Sequence, residues 1–422
     1  MGQADLFIEY LLDKAEKIDG NTVEAAKDCL ADYLGAAYAG AASNKGRWTE
    51  YMSCPPAGKV PVLGYGQFLD GRTAASVNGF NAHCLEVDDG HRFSMMHPGS
   101  PVISSLISAY YERGFSKENL YKGIIMGYEA ACRLGMSIQP SHKTAGFHAT
   151  GTCGTVGAAI GTAFALGMNR AQMRTVLACA AGSAAGLLEL QCQSSELKAF
   201  NAGRAAMDGL SAAYMGFTDF APPDDVLFGQ KGFLRLFGTA DVSGLTEERD
   251  FFEIGRRYVK PYAACRHCHP AIEAMLELRK NVGADLIDTV AVETYKLAVG
   301  GHDHAAVDGT SSAKLSIPYS VAAAAVLGHA GVDAFAPDAL RSEKILSLMK
   351  KITVTADEEF TRLSPGKRIA RVTVVKKDGS AVSFRTDYAK GDPENPITRD
   401  ELLLGIRQLA PEHYEEIVKF AY

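Results

Sequence analysis

The chain has 422 residues, a formal net charge of −6, 47% hydrophobic residues and 22% charged residues. A chain of this length is too long to fold around one ordinary hydrophobic core, so two domains are expected. The chain has no basic patch, which argues against nucleic acid as a partner, and no apolar stretch long enough to span a membrane.

The N-terminus and the cysteines indicate a compartment. Residues 1–19 are amphipathic and carry acids, without the basic, apolar and small-residue regions of a signal peptide. Gly2 follows Met1, but Leu6 stands where a myristoylation signal needs Ser or Thr. The nine cysteines are scattered and odd in number, which is typical of free thiols in a reducing environment. We therefore expect a cytoplasmic protein.

Apolar residues recur at helical spacing through roughly the first 250 residues. The predicted helices span 22–42, 101–113, 117–134, 150–166 and 173–190. The last of these is nearly all apolar, with Gly and Ala throughout, a composition typical of buried and closely packed helices. The sequence predicts a large all-helical domain over residues 1–262.

The pattern changes after Pro270. A helix over 271–280 is followed by alternating segments that predict strands at 289–294, 352–355, 369–376 and 381–387. Asp378-Gly379 lies between the last two strands and is a strong hairpin signal. Helices are predicted at 317–327 and 338–350, so residues 263–392 are expected to form a smaller α/β lid.

The C-terminal segment, residues 393–422, predicts a return to the helical domain. Thr398 and Glu401 form a capping-box pattern ahead of an apolar run. A further helix is predicted from Pro411. The fold class is therefore mainly α with an α+β part.

Titratable residues concentrate in one short segment. Three carboxylates and three histidines lie within fifteen residues, namely His83, Glu86, Asp88, Asp89, His91 and His97. Burying such a cluster is costly unless its members pair or serve chemistry. Histidines move protons near neutral pH, so the cluster is a candidate catalytic site. The alternative is a polar loop with structural caps.

A second segment, residues 259–270, concentrates cations around two prolines. Arg266 presents a guanidinium fork that suits a carboxylate ligand, or it forms an interdomain salt bridge. In a desolvated cleft, Lys260 would have a lowered pKa and act as a base. If exposed, Lys260 would be an ordinary surface lysine.

The cysteines of this segment raise the possibility of a bound group. Cys265, Cys268 and His269 match the C-x-x-C-H pattern of haem attachment, which we reject because no export signal precedes it. Zinc would draw on Cys265, Cys268 and a histidine such as His267 or His302, but a second short-spaced pair is missing. We therefore expect no metal and no cofactor.

Two further histidines precede predicted helices. His97 and His148 each lie just before a helix start, where a bound anion is also favoured. They line one anionic pocket, or each serves as a cap or core residue. Lys198 lies in a polar interruption between apolar helices, and the hydroxyl of Tyr319 either reaches across an interdomain cleft or belongs to the core.

Taken in order, segments 83–99, 146–154, 259–270 and 391–398 resemble the MmgE/PrpD family. That family includes 2-methylcitrate dehydratase, cis-aconitate decarboxylase and iminodisuccinate epimerase. The resemblance spans about residues 20–410 and implies a helical domain, an inserted lid and a homodimer. The Lys-Pro-Tyr and Cys-Arg run near Lys260 looks most like the epimerase branch.

The resemblance also assigns site residues. The histidines, lysines and tyrosine of the decarboxylase pocket fall on His97, His148, Lys198, Lys260 and Tyr319. Its aspartate and threonine fall on Glu86 and Gly90, two departures that argue against decarboxylation.

These observations predict a cofactor-independent isomerase or lyase that removes a proton α to a carboxylate of a small di- or tricarboxylate. Lys260 and Tyr319 are the acid/base candidates. Cationic groups would neutralise the substrate, and carboxylates would orient the histidines or relay protons. The first group is Arg266, Lys198, His97 and His148, and the second is Glu86, Asp88 and Asp89.

The expected products are those of epimerisation or dehydration. The alternatives are a decarboxylase or a non-catalytic helical binding protein that keeps the fold. Replacing Lys260 with Ala is expected to abolish turnover and to leave the fold intact.

Overall fold

The computed structural model describes residues 2–192, 195–238 and 242–422. Most buried apolar side chains form two clusters, one in the N-terminal helices and one in the lid. This agrees with the expected class, a large helical domain with a small α/β domain. No helix in the described ranges is both long and apolar enough to cross a bilayer.

Eleven α-helices in the described part of the chain precede residue 240. They are α1 (Gln3–Ala15), α2 (Gly20–Ser43), α3 (Thr49–Ser53), α4 (Gly71–Cys84), α5 (Gly99–Arg113), α6 (Lys117–Ile138), α7 (Ser141–Thr144), α8 (Ala149–Ala165), α9 (Arg170–Ser183), α10 (Phe200–Met215) and α11 (Phe233–Phe237). Every residue of α8 is buried. Glycines let α8 approach α6 closely, since a Cβ on Gly161 would lie 2.5 Å from the carbonyl oxygen of Gly123.

The helix predicted over 173–190 ends earlier, at Ser183. The chain then becomes extended at Ala184, and the carbonyl of Gly186 accepts a hydrogen bond from the backbone N–H of His148 at 3.2 Å. This pairing with another segment overrides the local helical preference. It also fixes the start of α8, where His148 lies.

The helical domain also contains short strands that the sequence did not predict. Strands β1 (Ala57–Val62) and β2 (Gln67–Leu69) form an antiparallel hairpin that closes a small cluster over α4. Two-residue strands β3 (Gly90–His91) and β4 (Arg257–Tyr258) also pair antiparallel. The second pairing joins the carboxylate and histidine segment to the start of the segment that contains Lys260.

The lid contains a mixed four-stranded sheet in the order β6-β5-β7-β8. Its strands are β5 (Ile287–Thr294), β6 (Ile352–Ala356), β7 (Ala370–Lys376) and β8 (Ala381–Thr386). Strand β5 is parallel to β6 and antiparallel to β7. The predicted hairpin joins β7 to β8, with Gly379 in the left-handed region at φ 80°.

The lid also contains helices, some of which pack on this sheet. They are α12 (His269–Arg279), α13 (Lys296–Val299), α14 (Thr310–Leu315), α15 (Ile317–Leu327), α16 (Pro337–Leu340), α17 (Glu343–Met349) and α18 (Glu358–Leu363). The single helix predicted over 338–350 is two helices, because Ser342 is extended and begins α17 as its N-cap. Short 3-10 helices lie at Leu188–Gln191, Leu197–Ala199, Glu253–Arg256, Arg266–Cys268, Ala284–Leu286, Val332–Phe335 and Pro411–His413.

The C-terminal helices α19 (Arg399–Leu409) and α20 (Tyr414–Ala421) leave the lid and pack against α2. Side chains such as Ile406 and Ile417 join the core of the helical domain. The predicted capping box of Thr398 and Glu401 is present. The exact domain limits at residues 262 and 392 stay predictions.

Candidate active site

A cavity of about 890 Å³ lies between the helical domain and the lid. Its wall in the helical domain includes His97, Lys143, His148 and Lys198. Its wall in the lid includes Cys265, His267, His302 and Arg368. Cations and imidazoles around a concave site of this size favour a small anionic ligand.

Three of the four motif segments line this cavity, and residues 391–398 are tied to one of them. The β3–β4 pairing brings residues 83–99 beside the start of residues 259–270. The backbone N–H of Val259 donates to the carbonyl of Gly391 at 3.0 Å, which adds residues 391–398. The backbone N–H of His97 donates to the hydroxyl of Thr150 at 3.0 Å, which ties residues 83–99 to residues 146–154. Contacts between distant parts of the chain thus assemble the site.

Glu86 joins the two predicted lysines. It lies in the loop after α4 with left-handed backbone, φ 57°, and its carboxylate accepts hydrogen bonds from Lys198 and, at 2.7 Å, from Lys260. Burial alone would raise the pKa of Glu86, but the two ammonium groups lower it well below its usual range. Glu86 is therefore ionised.

Lys260 does not have the lowered pKa that a neutral base requires. Its side chain is fully buried, 2.7 Å from Glu86 and 3.7 Å from Asp88. Burial favours the neutral amine, but these carboxylates outweigh it and raise the pKa of Lys260. Lys260 borders a second cavity of about 850 Å³ instead of the first. In this geometry Lys260 is a buried counter-ion of Glu86 and Asp88, which does not favour the base role expected for it.

Asp88 and Asp89 lie behind the histidines and do not line the cavity. The carboxylate of Asp88 accepts from His83 Nδ1 at 2.7 Å and from the hydroxyl of Ser100 at 2.8 Å. Burial opposes ionisation of Asp88, but the nearby histidines and Lys260 lower its pKa. Both aspartates therefore support the site from behind instead of contacting a ligand.

Asp89 is held by two donors of its own. It accepts from the hydroxyl of Tyr128 at 2.7 Å and from the backbone N–H of Gly99, at the start of α5, at 3.1 Å. Burial raises the pKa of Asp89 to about 6. Its carboxylate thus anchors the helix that follows His97.

His97 borders the cavity and has one imidazole nitrogen without a hydrogen-bond partner in the described ranges. Its Nδ1–H donates to the carbonyl oxygen of Asp89 at 2.7 Å, which leaves the Nε2 lone pair without a hydrogen-bond partner among the described residues. Burial and the charge of Lys260 hold the pKa of His97 well below its usual range. His97 is therefore neutral near pH 7 and able to accept a proton.

His148 carries its ring proton on the other nitrogen, Nε2. The amide nitrogen of Asn201 lies 3.1 Å from the carbonyl oxygen of Leu187 and 3.1 Å from His148 Nδ1. Because the carbonyl only accepts, this nitrogen is the NH₂ group, and His148 Nδ1 is an acceptor. Burial and the charge of Lys198 lower the pKa of His148 well below its usual range. The neutral ring therefore carries its proton on Nε2.

The two imidazoles lie close together on one wall. The His83 ring neighbours both, with its centroid 4.7 Å from that of His97 and 5.8 Å from that of His148. One free acceptor, one N–H donor and the ammonium of Lys198 thus face a single space. This arrangement is able to remove a proton from carbon and stabilise the negative charge that results.

Sequence comparison agrees with these motifs. The model of the MmgE/PrpD N-terminal domain matches residues 10–244, and that of the MmgE/PrpD C-terminal domain matches residues 262–419. The chain belongs to the MmgE/PrpD family.

Curated relatives in the MmgE/PrpD family are enzymes. The chain is 26% identical to the cis-aconitate decarboxylase-like protein oryM of Aspergillus oryzae, over 94% of this chain and 88% of the relative. It is 25% identical to the cis-aconitate decarboxylase of Aspergillus terreus, over 94% and 86%. Identity to the human cis-aconitate decarboxylase is 22%, over 92% and 83%.

Two residues expected to serve the MmgE/PrpD site make other contacts. Tyr319 lies in α15, fully buried in the lid core, and donates its hydroxyl proton to the carbonyl of Ala334 at 3.0 Å. It does not line the cavity, so its contacts favour the alternative, a core residue, over the acid/base role expected for it.

Arg266 borders the cavity, but its guanidinium is already paired. It lies 2.9 Å from Asp392 and donates to the carbonyls of Ala389 and Lys390. This ion pair ties residues 259–270 to residues 391–398. Both partners lie in the predicted lid, so the pair is not the interdomain salt bridge of the alternative. Arg266 would have to leave Asp392 to clamp a ligand, so its contacts do not support the clamp role.

Arg368 is the guanidinium that sequence reasoning missed. It is buried, borders the cavity and has no carboxylate within 4.0 Å in the described ranges. Lys143 was missed too; burial lowers its pKa to about 8, and its ammonium donates to His267 Nε2 at 3.2 Å. Neither residue lies in a recognisable motif, although Lys143 lies five residues before His148.

Proposed function

We propose that this protein is an enzyme that removes a proton α to a carboxylate of a small di- or tricarboxylate, with His97 as the base. The observation that carries the proposal is the free Nε2 of a neutral His97 in a cavity bordered by cations. A buried neutral imidazole accepts a proton without first losing one.

The remaining groups fit the needs of such a reaction. Removing the proton places negative charge on the substrate carboxylate, and donors aimed at that charge lower the barrier. The Nε2–H of His148 and the ammonium of Lys198 supply these donors. Arg368, without a carboxylate partner among the described residues, suits a bidentate grip on a second carboxylate.

The fate of the carbanion decides the product. Return of the proton to the opposite face gives epimerisation, and loss of a β-hydroxyl gives dehydration. The non-catalytic alternative is less well supported, because His97, His148 and Lys198 meet in one cavity. An intact fold without chemistry does not require this convergence.

Decarboxylation is the second candidate, favoured by the names of the curated relatives. One feature of this chain argues against it. Gly90 stands where the decarboxylase pattern has a threonine, and a Cβ on Gly90 would lie 2.3 Å from the Tyr258 hydroxyl. Tyr258 thus fills the space that the threonine side chain needs.

We further propose a homodimer. Several large apolar side chains near the ends of α9 and α10 are exposed, namely Leu187, Leu197, Phe200, Phe217 and Phe220. An apolar surface of this kind is typical of a subunit interface. Light scattering at micromolar concentration is expected to give the dimer mass, and a monomer mass would contradict the proposal.

The activity is tested by proton exchange. The protein is incubated in deuterated water with a panel of succinate, citrate and aconitate derivatives, and α-deuteration is followed by NMR. Exchange that depends on His97 supports proton abstraction. Carbon dioxide release identifies the decarboxylase candidate. No exchange and no binding across the panel would contradict a polycarboxylate site.

A further inference from the structure

A second constellation lies on the lid wall of the same cavity, away from His97 and His148. The Sγ of Cys265 is 3.3 Å from His302 Nε2. The other nitrogen of His302, Nδ1, donates to the carbonyl of Gly300 at 3.2 Å, which fixes the ring with Nε2 toward the sulfur. The backbone N–H of Cys265 donates to the carbonyl of Lys314 at 2.8 Å, which fixes the other partner.

The surroundings favour a thiolate over a thiol. Burial alone would raise the pKa of Cys265, but the charge of His302 and its hydrogen bond lower it to about 6. The nearby Cys268 is a contrast. It has no imidazole partner in the described part of the chain, its sulfur lies 3.9 Å from the carbonyl of Lys314, and burial raises its pKa.

Access to the cavity distinguishes Cys265 from the other half-buried cysteines, Cys84 and Cys179. Unlike them, it borders the cavity that Lys143, Lys198 and Arg368 also border. Cys54 and Cys192 are more exposed, but neither has a cation or imidazole partner in the described ranges. Cys265 therefore combines nucleophile, proton acceptor and access.

We propose that Cys265 and His302 form a thiolate–imidazolium pair, and that Cys265 is a modification site for small carbon electrophiles that bear a carboxylate. The carboxylate preference rests on the proposed function, since the same cationic cavity draws the reagent in. With iodoacetate, the Cys265 sulfur forms a bond to the methylene carbon. The carbon–iodine bond breaks and iodide leaves with the electron pair, while His302 keeps the proton.

The expected size of the effect follows from thiolate chemistry. At pH 6.5, an ordinary thiol with a pKa of about 8.5 is roughly 1% thiolate, whereas a thiol with a pKa of about 6 is mostly ionised. Because the Cys265 thiolate is less basic, its nucleophilicity is lower by about a factor of ten. We therefore expect alkylation of Cys265 about fivefold faster than alkylation of an ordinary accessible cysteine at this pH.

The test measures alkylation rates by peptide mass spectrometry on the whole protein, with Cys54 as the internal control. Iodoacetamide, which is neutral, reports the thiolate. Iodoacetate, which is anionic, also reports the cationic cavity. For Cys265 we expect a rate inflection at lower pH than for Cys54, and a larger preference for iodoacetate that falls with added salt.

Variants separate the pair from simple accessibility. His302→Gln is expected to move the inflection of Cys265 up toward that of Cys54, while His304→Gln, also at the cavity, leaves it unchanged. The near-UV circular dichroism of both variants is compared with that of the native protein to confirm the fold. An inflection for Cys265 at or above that of Cys54 in the native protein would overturn the proposal.

Two further outcomes are informative. Equal preference for the two reagents at a fast Cys265 would overturn the carboxylate selectivity and weigh against the proposed function, but leave the reactive thiolate supported. Protection of Cys265 by micromolar zinc, with His267 and His302 as further ligands, would overturn the free nucleophile and indicate a metal site. These three side chains offer donor atoms within 4.8 Å of one another.

Discussion

Replacing Glu86 with Gln removes the carboxylate that neutralises two ammonium groups. Lys260 Nζ lies 2.7 Å from Glu86, and its side chain is fully buried. At an effective dielectric constant of about 20, two unit charges at that distance attract by about 6 kcal/mol. In the Glu86→Gln variant, Lys260 keeps only Asp88, 3.7 Å away, as an opposing charge.

The expected loss in the free energy of unfolding is about 3–5 kcal/mol, the usual cost of leaving a buried charge without its partner. The matched control is Glu196→Gln. Glu196 pairs with Arg47 at 2.5 Å, but both side chains are more than half exposed. Exposed pairs contribute about 0–1 kcal/mol, so this variant is expected to lie close to the native protein.

Urea denaturation followed by circular dichroism measures both variants. The pKa of Glu86 is lower in the folded protein, so its contribution is complete above its unfolded pKa of about 4.3. That contribution is lost as the pH falls through the folded value. The difference between native and Glu86→Gln protein is thus constant from pH 8 to 5 and shrinks in stronger acid. Equal losses for the Glu86 and Glu196 variants would refute the reasoning.

Three further variants and one control test the site, each with a direction set by its contacts. His97→Asn keeps a donor toward the Asp89 carbonyl but removes the base, so α-proton exchange is expected to fall by about 10²–10⁴-fold. Tyr319→Phe is the control. Its exchange rate is expected to stay within about twofold of the native rate, because the Tyr319 hydroxyl makes only a core hydrogen bond. Asn201→Asp replaces the donor to His148 with an acceptor. The ring proton then moves to Nδ1, which nitrogen NMR of His148 detects, and exchange falls by about 10²-fold or more. An unchanged tautomer would contradict the assignment. Arg368→Met is expected to raise KM by about 10- to 100-fold with little change in kcat, and a change confined to kcat would contradict the clamp role.

Local patterns predicted the helices well but not the long-range pairings. The periodic apolar run over 22–42 predicted α2, and the run over 117–134 predicted α6, because each helix is specified by residues close in sequence. Strands β3 and β4 are two residues long and more than 160 residues apart. Neither has a pattern of its own, so only the folded chain reveals their pairing.

The candidate site was predicted in composition but only partly in roles. The sequence predicts His97, His148 and Lys198 as site residues, and all three line the cavity. The direction of the pKa shift at Lys260 depends on the position of the Glu86 carboxylate, which the left-handed backbone of Glu86 sets. The proton position on His148 depends on one amide group of Asn201. Such distances between segments are not encoded in any local motif.

The role of His97 as the base is tested by a crystal structure with bound propane-1,2,3-tricarboxylate. We expect the ligand in the cavity between the domains, with an α-carbon about 3.5 Å from His97 Nε2. One carboxylate is expected on Lys198 and another on Arg368. A ligand bound in the second cavity beside Lys260, or in the first cavity with its α-carbon out of reach of His97, would contradict proton removal by His97.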